Sequence, residues 1–222
     1  MARPRIVLIH AMQPSMAPAR AAFASWPEAQ VSDLLDDSLA SDLVAAGRLT
    51  PAIIDRFLAL ACYAKGAGAE GILFTCSAFG PAIEACARAL PIPVLKPNEA
   101  ALEAALAAGA RITLLATFAP TIPALEQELA ALAAVRGVTP QVTTAVVPGA
   151  LEALAAGKQD EHDARIVASA AAATACDVLL LCQFSMARAA KGIAPVPGRT
   201  VLTTPDPAVA KLRRLVEARA AA

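Results

Sequence analysis

The chain has 222 residues, 57% of them hydrophobic and 17% charged, which suits one large α/β domain or two small ones and excludes a disulfide-stapled miniature. Its 19 Lys and Arg balance 19 Asp and Glu, so a zero formal charge gives no electrostatic basis for a nucleic-acid or anionic-membrane partner. Five cysteines without zinc-ligand spacing, beside only two histidines, argue against a disulfide framework or a metal site and imply a reducing, cytoplasmic compartment.

The first segment, MARPRIVLIHAM, carries two arginines before an apolar stretch. That stretch is short and broken by His10, Gln13 and Pro14, so it reads as a buried first strand rather than an export signal. No run of 18 uncharged apolar residues follows, so no membrane span is expected. Strand-length apolar runs then alternate with longer alanine-rich patterns. Strands are predicted over 6–9, 31–35, 71–75, 94–95, 112–116, 142–147, 178–181 and 200–203. Helices are predicted over 16–23, 51–66, 81–89, 98–108, 122–135, 150–156, 161–174 and 207–220. Thr50-Pro51 and Asp206-Pro207 each offer an N-cap followed by proline at the first helical position. The alternation predicts βα units and a largely parallel sheet.

An internal repeat sharpens this into two halves. Arg5-Ile-Val-Leu-Ile matches Arg111-Ile-Thr-Leu-Leu, Pro14-Ser15 matches Pro120-Thr121, and Gly71-Ile-Leu-Phe-Thr-Cys76 matches Asp177-Val-Leu-Leu-Leu-Cys182, all at an offset of 106. Two similar α/β halves are expected, with a boundary near 95–108.

Cys76 and Cys182 therefore end equivalent strands. Ligands of parallel α/β sheets bind beyond the carboxyl ends of the strands, so both cysteines are expected at a site between the halves. Two opposed thiols suit removal of a proton from one face of a carbon and its return to the other, one sulfur acting as thiolate base and the other as thiol acid. Helix starts after each cysteine, near residues 78–81 and 185, are expected to favour the thiolate. An enolate-like transition state needs donors. The backbone N–H groups of Ser77, Ala78, Gln183 and Phe184 and the hydroxyls of Thr75, Ser77, Thr117 and Thr121 can supply them. This chemistry needs no metal and no organic cofactor. His10, at the end of the first strand, reads either as a group at the cleft mouth or as a hydrogen-bonded histidine at the core edge. Cys62, Cys86 and Cys176 read as core residues, Trp26 and Tyr63 as packing residues, Arg213, Arg214 and Arg219 as an exposed helix face, and His162 as part of a solvated helix start.

Cys76 in FTCSAFG, Cys182 in LLCQFSMA and the ATFAPT segment at 116–121 resemble the aspartate/glutamate racemase superfamily across essentially the whole chain. That superfamily holds amino-acid and hydantoin racemases, maleate isomerases and arylmalonate decarboxylases. The resemblance implies two pseudo-symmetric flavodoxin-like domains with parallel four-stranded sheets and the active site between them. The first would comprise residues 1–97 plus a returning C-terminal helix at 206–222, and the second residues 98–205. It implies Cys76 and Cys182 as the catalytic acid/base pair. Cys76-Ser77-Ala78 and Cys182-Gln183 would cradle a carboxylate, with Thr117 and Thr121 beside it and Ser15 as a polar contact. Ser77-Ala78 and Gln183 stand where amino-acid racemases often carry Asn-Thr and Thr, and His10 where glutamate racemases tend to carry Asp. These differences point away from glutamate and aspartate as substrates.

The expected function is cofactor-independent racemisation or epimerisation at the α-carbon of a small carboxylate or amino acid derivative. The alternatives are cis–trans isomerisation or decarboxylation of a dicarboxylate, and a two-lobed binding protein. The apolar, alanine-rich helices are compatible with a homodimer face, and members of the superfamily often dimerise.

Overall fold

A computed structural model describes residues 3–221. Two compact units emerge: one from residues up to Pro97 together with those from Pro205 onward, the other from Asn98–Thr204. Each is built on a four-stranded, all-parallel sheet.

In the first unit β1 (Arg5–His10), β2 (Gln30–Leu35), β3 (Gly71–Phe74) and β4 (Val94–Leu95) lie in the order β2-β1-β3-β4. The second unit repeats the plan with β5 (Arg111–Ala116), β6 (Gln141–Val146), β7 (Val178–Leu181) and β8 (Thr200–Thr203) in the order β6-β5-β7-β8. Every residue of β3 (GILF) and β7 (VLLL) is buried, as expected where helices cover both faces of a parallel sheet. Alternation assigns the faces of β7. Val178 and Leu180 pack with α5 (Glu99–Ala108) and α6 (Thr121–Arg136), whereas Leu179 and Leu181 pack with α7 (Ala150–Ala155) and α8 (Gln159–Ala172).

The first unit carries α1 (Met16–Ala22), α2 (Ser38–Ala46), α3 (Pro51–Gly66), α4 (Gly80–Ala89) and α9 (Pro205–Ala220). Thr50 caps α3 as its sequence predicts, its Oγ1 accepting from the Ile53 N–H at 3.3 Å. Gly71 is a point of close approach. A Cβ there would lie 2.8 Å from Val216 Cγ2 and 3.2 Å from Leu212 Cδ1, so the missing side chain lets α9 seat directly on β3. No helix among the described residues is long and apolar enough to cross a membrane.

Several expectations are corrected. The helix α2 was not anticipated. Its start is set by a local turn, in which the Asp36 carboxylate accepts from the Ser38 hydroxyl at 2.7 Å, and it ends at Gly47 in the left-handed region. The last helix begins at Pro205, so Asp206 lies in its first turn rather than capping it. The α8 start moves to Gln159, and His162 is fully buried rather than solvated, its Nδ1 2.8 Å from the Asp163 carboxylate. Tyr63 is 66% exposed and Cys62 is exposed, so neither belongs to the core. After β7 the chain forms a 3-10 segment, Phe184–Gly192, in place of the expected α-helix.

The repeat also needs a correction. Between β1 and β5 the offset of 106 holds, but the ladder bonds shift it by one residue at β3 and β7. Glu70 N–H donates to the Arg5 carbonyl and Asp177 N–H to the Arg111 carbonyl, both at 2.8 Å. Thr75 N–H donates to the Ile9 carbonyl at 3.1 Å and Cys182 N–H to the Leu115 carbonyl at 2.9 Å. In register, the counterpart of Cys182 is Thr75, and the counterpart of Cys76 is Gln183. A one-residue slip turns a side chain to the other face of a sheet, so the two sulfurs leave their strands differently.

Candidate functional site

At the carboxyl end of the first sheet, three of the expected site residues meet. His10 Nδ1 lies 2.8 Å from Thr75 Oγ1 and 3.2 Å from Ser15 Oγ, and the two hydroxyl oxygens are 2.8 Å apart. Ser15 Oγ donates to the Met12 carbonyl at 2.7 Å. On the other side of the ring, His10 Nε2 faces Asp33 Oδ1 at 3.1 Å, and Asp33 Oδ2 accepts from Arg20 Nε at 2.6 Å. Burial lowers the His10 pKa below its ordinary value despite the opposing pull of Asp33, so the ring is neutral at neutral pH. Asp33 Oδ1 faces Nε2 while Arg20 engages Oδ2, so the network assigns the single ring proton to Nε2. Nδ1 then accepts from the Thr75 hydroxyl. Asp33 and Arg20 were missed from sequence, although an aspartate inside a strand pattern (QVSDLL) was a signal that a partner waited for it.

Thr75 leads directly into Cys76, an extended residue that precedes a 3-10 turn at Ser77–Phe79 and then α4. Cys76 is half-buried. Burial pushes its thiol up to about 11, with the Ala78 backbone N–H pulling back. Ser77 and Ala78 are buried beside it.

The second unit is built differently. The Gln183 carboxamide oxygen accepts from the Thr117 backbone N–H, from the Thr117 hydroxyl at 2.9 Å and from the Phe118 N–H at 3.3 Å. Thr117 and Gln183, two separate contacts in the sequence reading, are therefore joined to each other. Thr121 opens α6 and is fully buried. Cys182 is also fully buried, on the face of β7 that packs with α5 and α6, and its thiol donates to the Leu180 carbonyl at 3.4 Å. Burial raises the Cys182 pKa as well. The expectation that helix starts would favour thiolates is thus overturned for both residues. One backbone N–H at Cys76 does not offset its removal from water, and the segment directly after Cys182 is 3-10 rather than an α-helix start.

Among the described residues, no group of three or more His, Cys, Asp and Glu side chains is arranged to hold a metal ion. Neither Lys nor Arg occurs among the candidate site residues, and the nearest cation on the first-unit network, Arg20, is engaged by Asp33. The donors on offer are neutral hydroxyls, thiols and backbone amides, which suits stabilisation of an oxyanion by hydrogen bonds rather than by fixed charge.

Comparison with known proteins agrees with this organisation. The chain superposes on a glutamate racemase isoform from Bacillus anthracis with a TM-score of 0.71, at 13% identity over 99% of this chain and 84% of that one. For allantoin racemase from Klebsiella pneumoniae the TM-score is 0.66, at 17% identity, covering 97% of this chain and 89% of the other. A doubly substituted, liganded arylmalonate decarboxylase gives 0.61 at 20% identity, covering 96% and 92%. At these identities the likeness establishes the fold. No match was found among curated protein sequences. The family model described as Asp/Glu/hydantoin racemase matches residues 8–212, and the chain belongs to that family.

Proposed function

We propose that this protein is a cofactor-independent racemase or epimerase that moves the α-proton of a small carboxylate or amino acid derivative, using Cys76 and Cys182. The observation that supports this is a cysteine at the carboxyl end of the same strand in both sheets, beyond β3 and beyond β7, in a chain of the racemase family. The reading requires the two sulfurs to bracket one carbon. Cys76 is partly exposed, with the Ala78 N–H in place for its thiolate, and takes the proton in one direction. Cys182 gives its proton to the opposite face, and the roles reverse for the other enantiomer. Because racemisation has an equilibrium constant of one, kcat/KM is equal for the two enantiomers, and the unequal settings of the thiols appear in kcat and KM separately.

The test is incubation of candidate α-substituted acids in D2O with wild type, Cys76→Ser and Cys182→Ser. Wild type is expected to place deuterium at the α-carbon as it interconverts enantiomers, and each variant to interconvert them at least about a hundredfold more slowly. Interconversion at the wild-type rate by both variants would refute the two-base scheme.

A second reading rests on the unequal burial of the sulfurs. In decarboxylation, the C–CO2 bond of a malonate breaks, its electron pair stays on carbon, and one thiol delivers a proton that water later restores. A fully buried, protonated Cys182 suits that role without Cys76. Carbon dioxide release retained by Cys76→Ser and lost by Cys182→Ser would select it. Cis–trans isomerisation through thiolate addition is distinguished by a covalent adduct in the intact mass.

A further inference from the structure

The loops that follow β1 and β5 are counterparts at the offset of 106, which pairs Ala11 with Thr117 and Met12 with Phe118. In the second unit all three donors of this loop converge on one oxygen, that of Gln183. A neutral carboxamide thus sits where a carboxylate oxygen would otherwise be received. In the first unit the register counterpart of Gln183 is Cys76, whose side chain carries no such acceptor. Neither the Ala11 N–H nor the Met12 N–H donates to any described group, although Ala11 is only 2% exposed. A buried backbone N–H without a partner is rare, and it marks a place where an acceptor is missing.

We infer that Gln183 fills the acceptor seat of the second unit from within, leaving Ala11–Met12 as the seat for a substrate carboxylate. That the carboxylate belongs to a substrate rests on the racemase-type reading above, whereas the seat itself does not.

The test uses backbone-assigned 15N-labelled full-length protein titrated with formate. In wild type the Ala11 and Met12 amide resonances are expected to move, while those of Thr117 and Phe118 stay in place. In Gln183→Ala and Gln183→Ser the Thr117 and Phe118 resonances join them. Wild-type Thr117 and Phe118 amides that respond as strongly as Ala11 and Met12, or Ala11 and Met12 amides that do not respond, would overturn the inference, even if neither variant folds. Binding without turnover keeps the two claims apart: the amide shifts report on the seat, and α-deuteration reports on the proposed reaction.

Discussion

The two units share a sheet order and a strand plan, yet they close the carboxyl ends of their sheets in opposite ways. In the first unit a buried imidazole gathers two hydroxyls and a carboxylate around the residue before Cys76. In the second, an alanine (Ala116) stands in place of that histidine, and a glutamine from the loop after β7 ties down the loop after β5. A duplicated architecture therefore preserves where a site can form without preserving what forms it. The one-residue register slip shows the same thing at the backbone: Cys76 and Cys182 match in the alignment of the halves and differ in the ladder.

The sharpest way to break this comparison is to measure the thiols. With iodoacetamide in native buffer, Cys62 is expected to react first because it is exposed, Cys76 more slowly, and Cys182 at least about a hundredfold more slowly than Cys62. Peptide mass spectrometry after timed quenching checks the order, and equal rates for Cys76 and Cys182 would erase the asymmetry. Next in size is stability. His10→Ala removes a fully buried ring and the partner it gives to Asp33 Oδ1 and to the Thr75 hydroxyl, for an expected loss of ~3 kcal/mol in urea unfolding. Gln183→Ala removes one half-buried acceptor and no buried ring, and is expected to cost about 1 kcal/mol. A larger loss at Gln183 would reverse the ranking of the two networks.

A smaller effect is expected from pH. The folded pKa of His10 lies below its unfolded value of 6.5, so the unfolded chain binds this proton more readily. Its contribution is present above pH 6.5 and is lost as the pH falls below that value. The urea midpoint should drop between pH 7.5 and 5.5 (~2 pH units spanning the ordinary histidine range), and His10→Asn should flatten that slope. The smallest effect concerns the opposite end of the second sheet, where Asp177 accepts from the Arg111 backbone N–H at 2.9 Å and from its guanidinium at 3.0 Å. The Arg111 guanidinium holds the Asp177 pKa down to about 2. Stability from this exposed pair is present above the usual carboxylate range and is lost as the pH falls from 3.8 towards 2, a limb that Asp177→Asn should abolish in acid titrations followed by circular dichroism.

The sequence carried the fold well because parallel strands buried on both faces write themselves as uninterrupted apolar runs, and ILF and VLLL left little room for another reading. The helix α2 escaped because its SLASDLVAA mixes polar and apolar residues and depends on an aspartate turn. The long 3-10 segment after β7 escaped because hydrogen-bond spacing has no distinct residue signature. At the candidate site, residue types at strand ends were legible and their connections were not. Whether Gln183 reaches Thr117, or His10 reaches Thr75, depends on rotamers and on a register shift of one residue. Periodicity in a short apolar run does not record that shift. The acidity of the thiols was misjudged for a related reason: helix starts can be anticipated in sequence, but burial is set by everything that packs around the group.

The glycine at the start of β3 has a further bearing on how the molecule is made. It receives α9, the last described element to leave the ribosome, so the earlier-born body waits with its docking groove vacant while Asn98–Thr204, an unbroken stretch, can already complete its own core. Biogenesis would then run out of chain order, the middle maturing before the beginning. Any bulkier residue at position 71 would be felt at that final docking step.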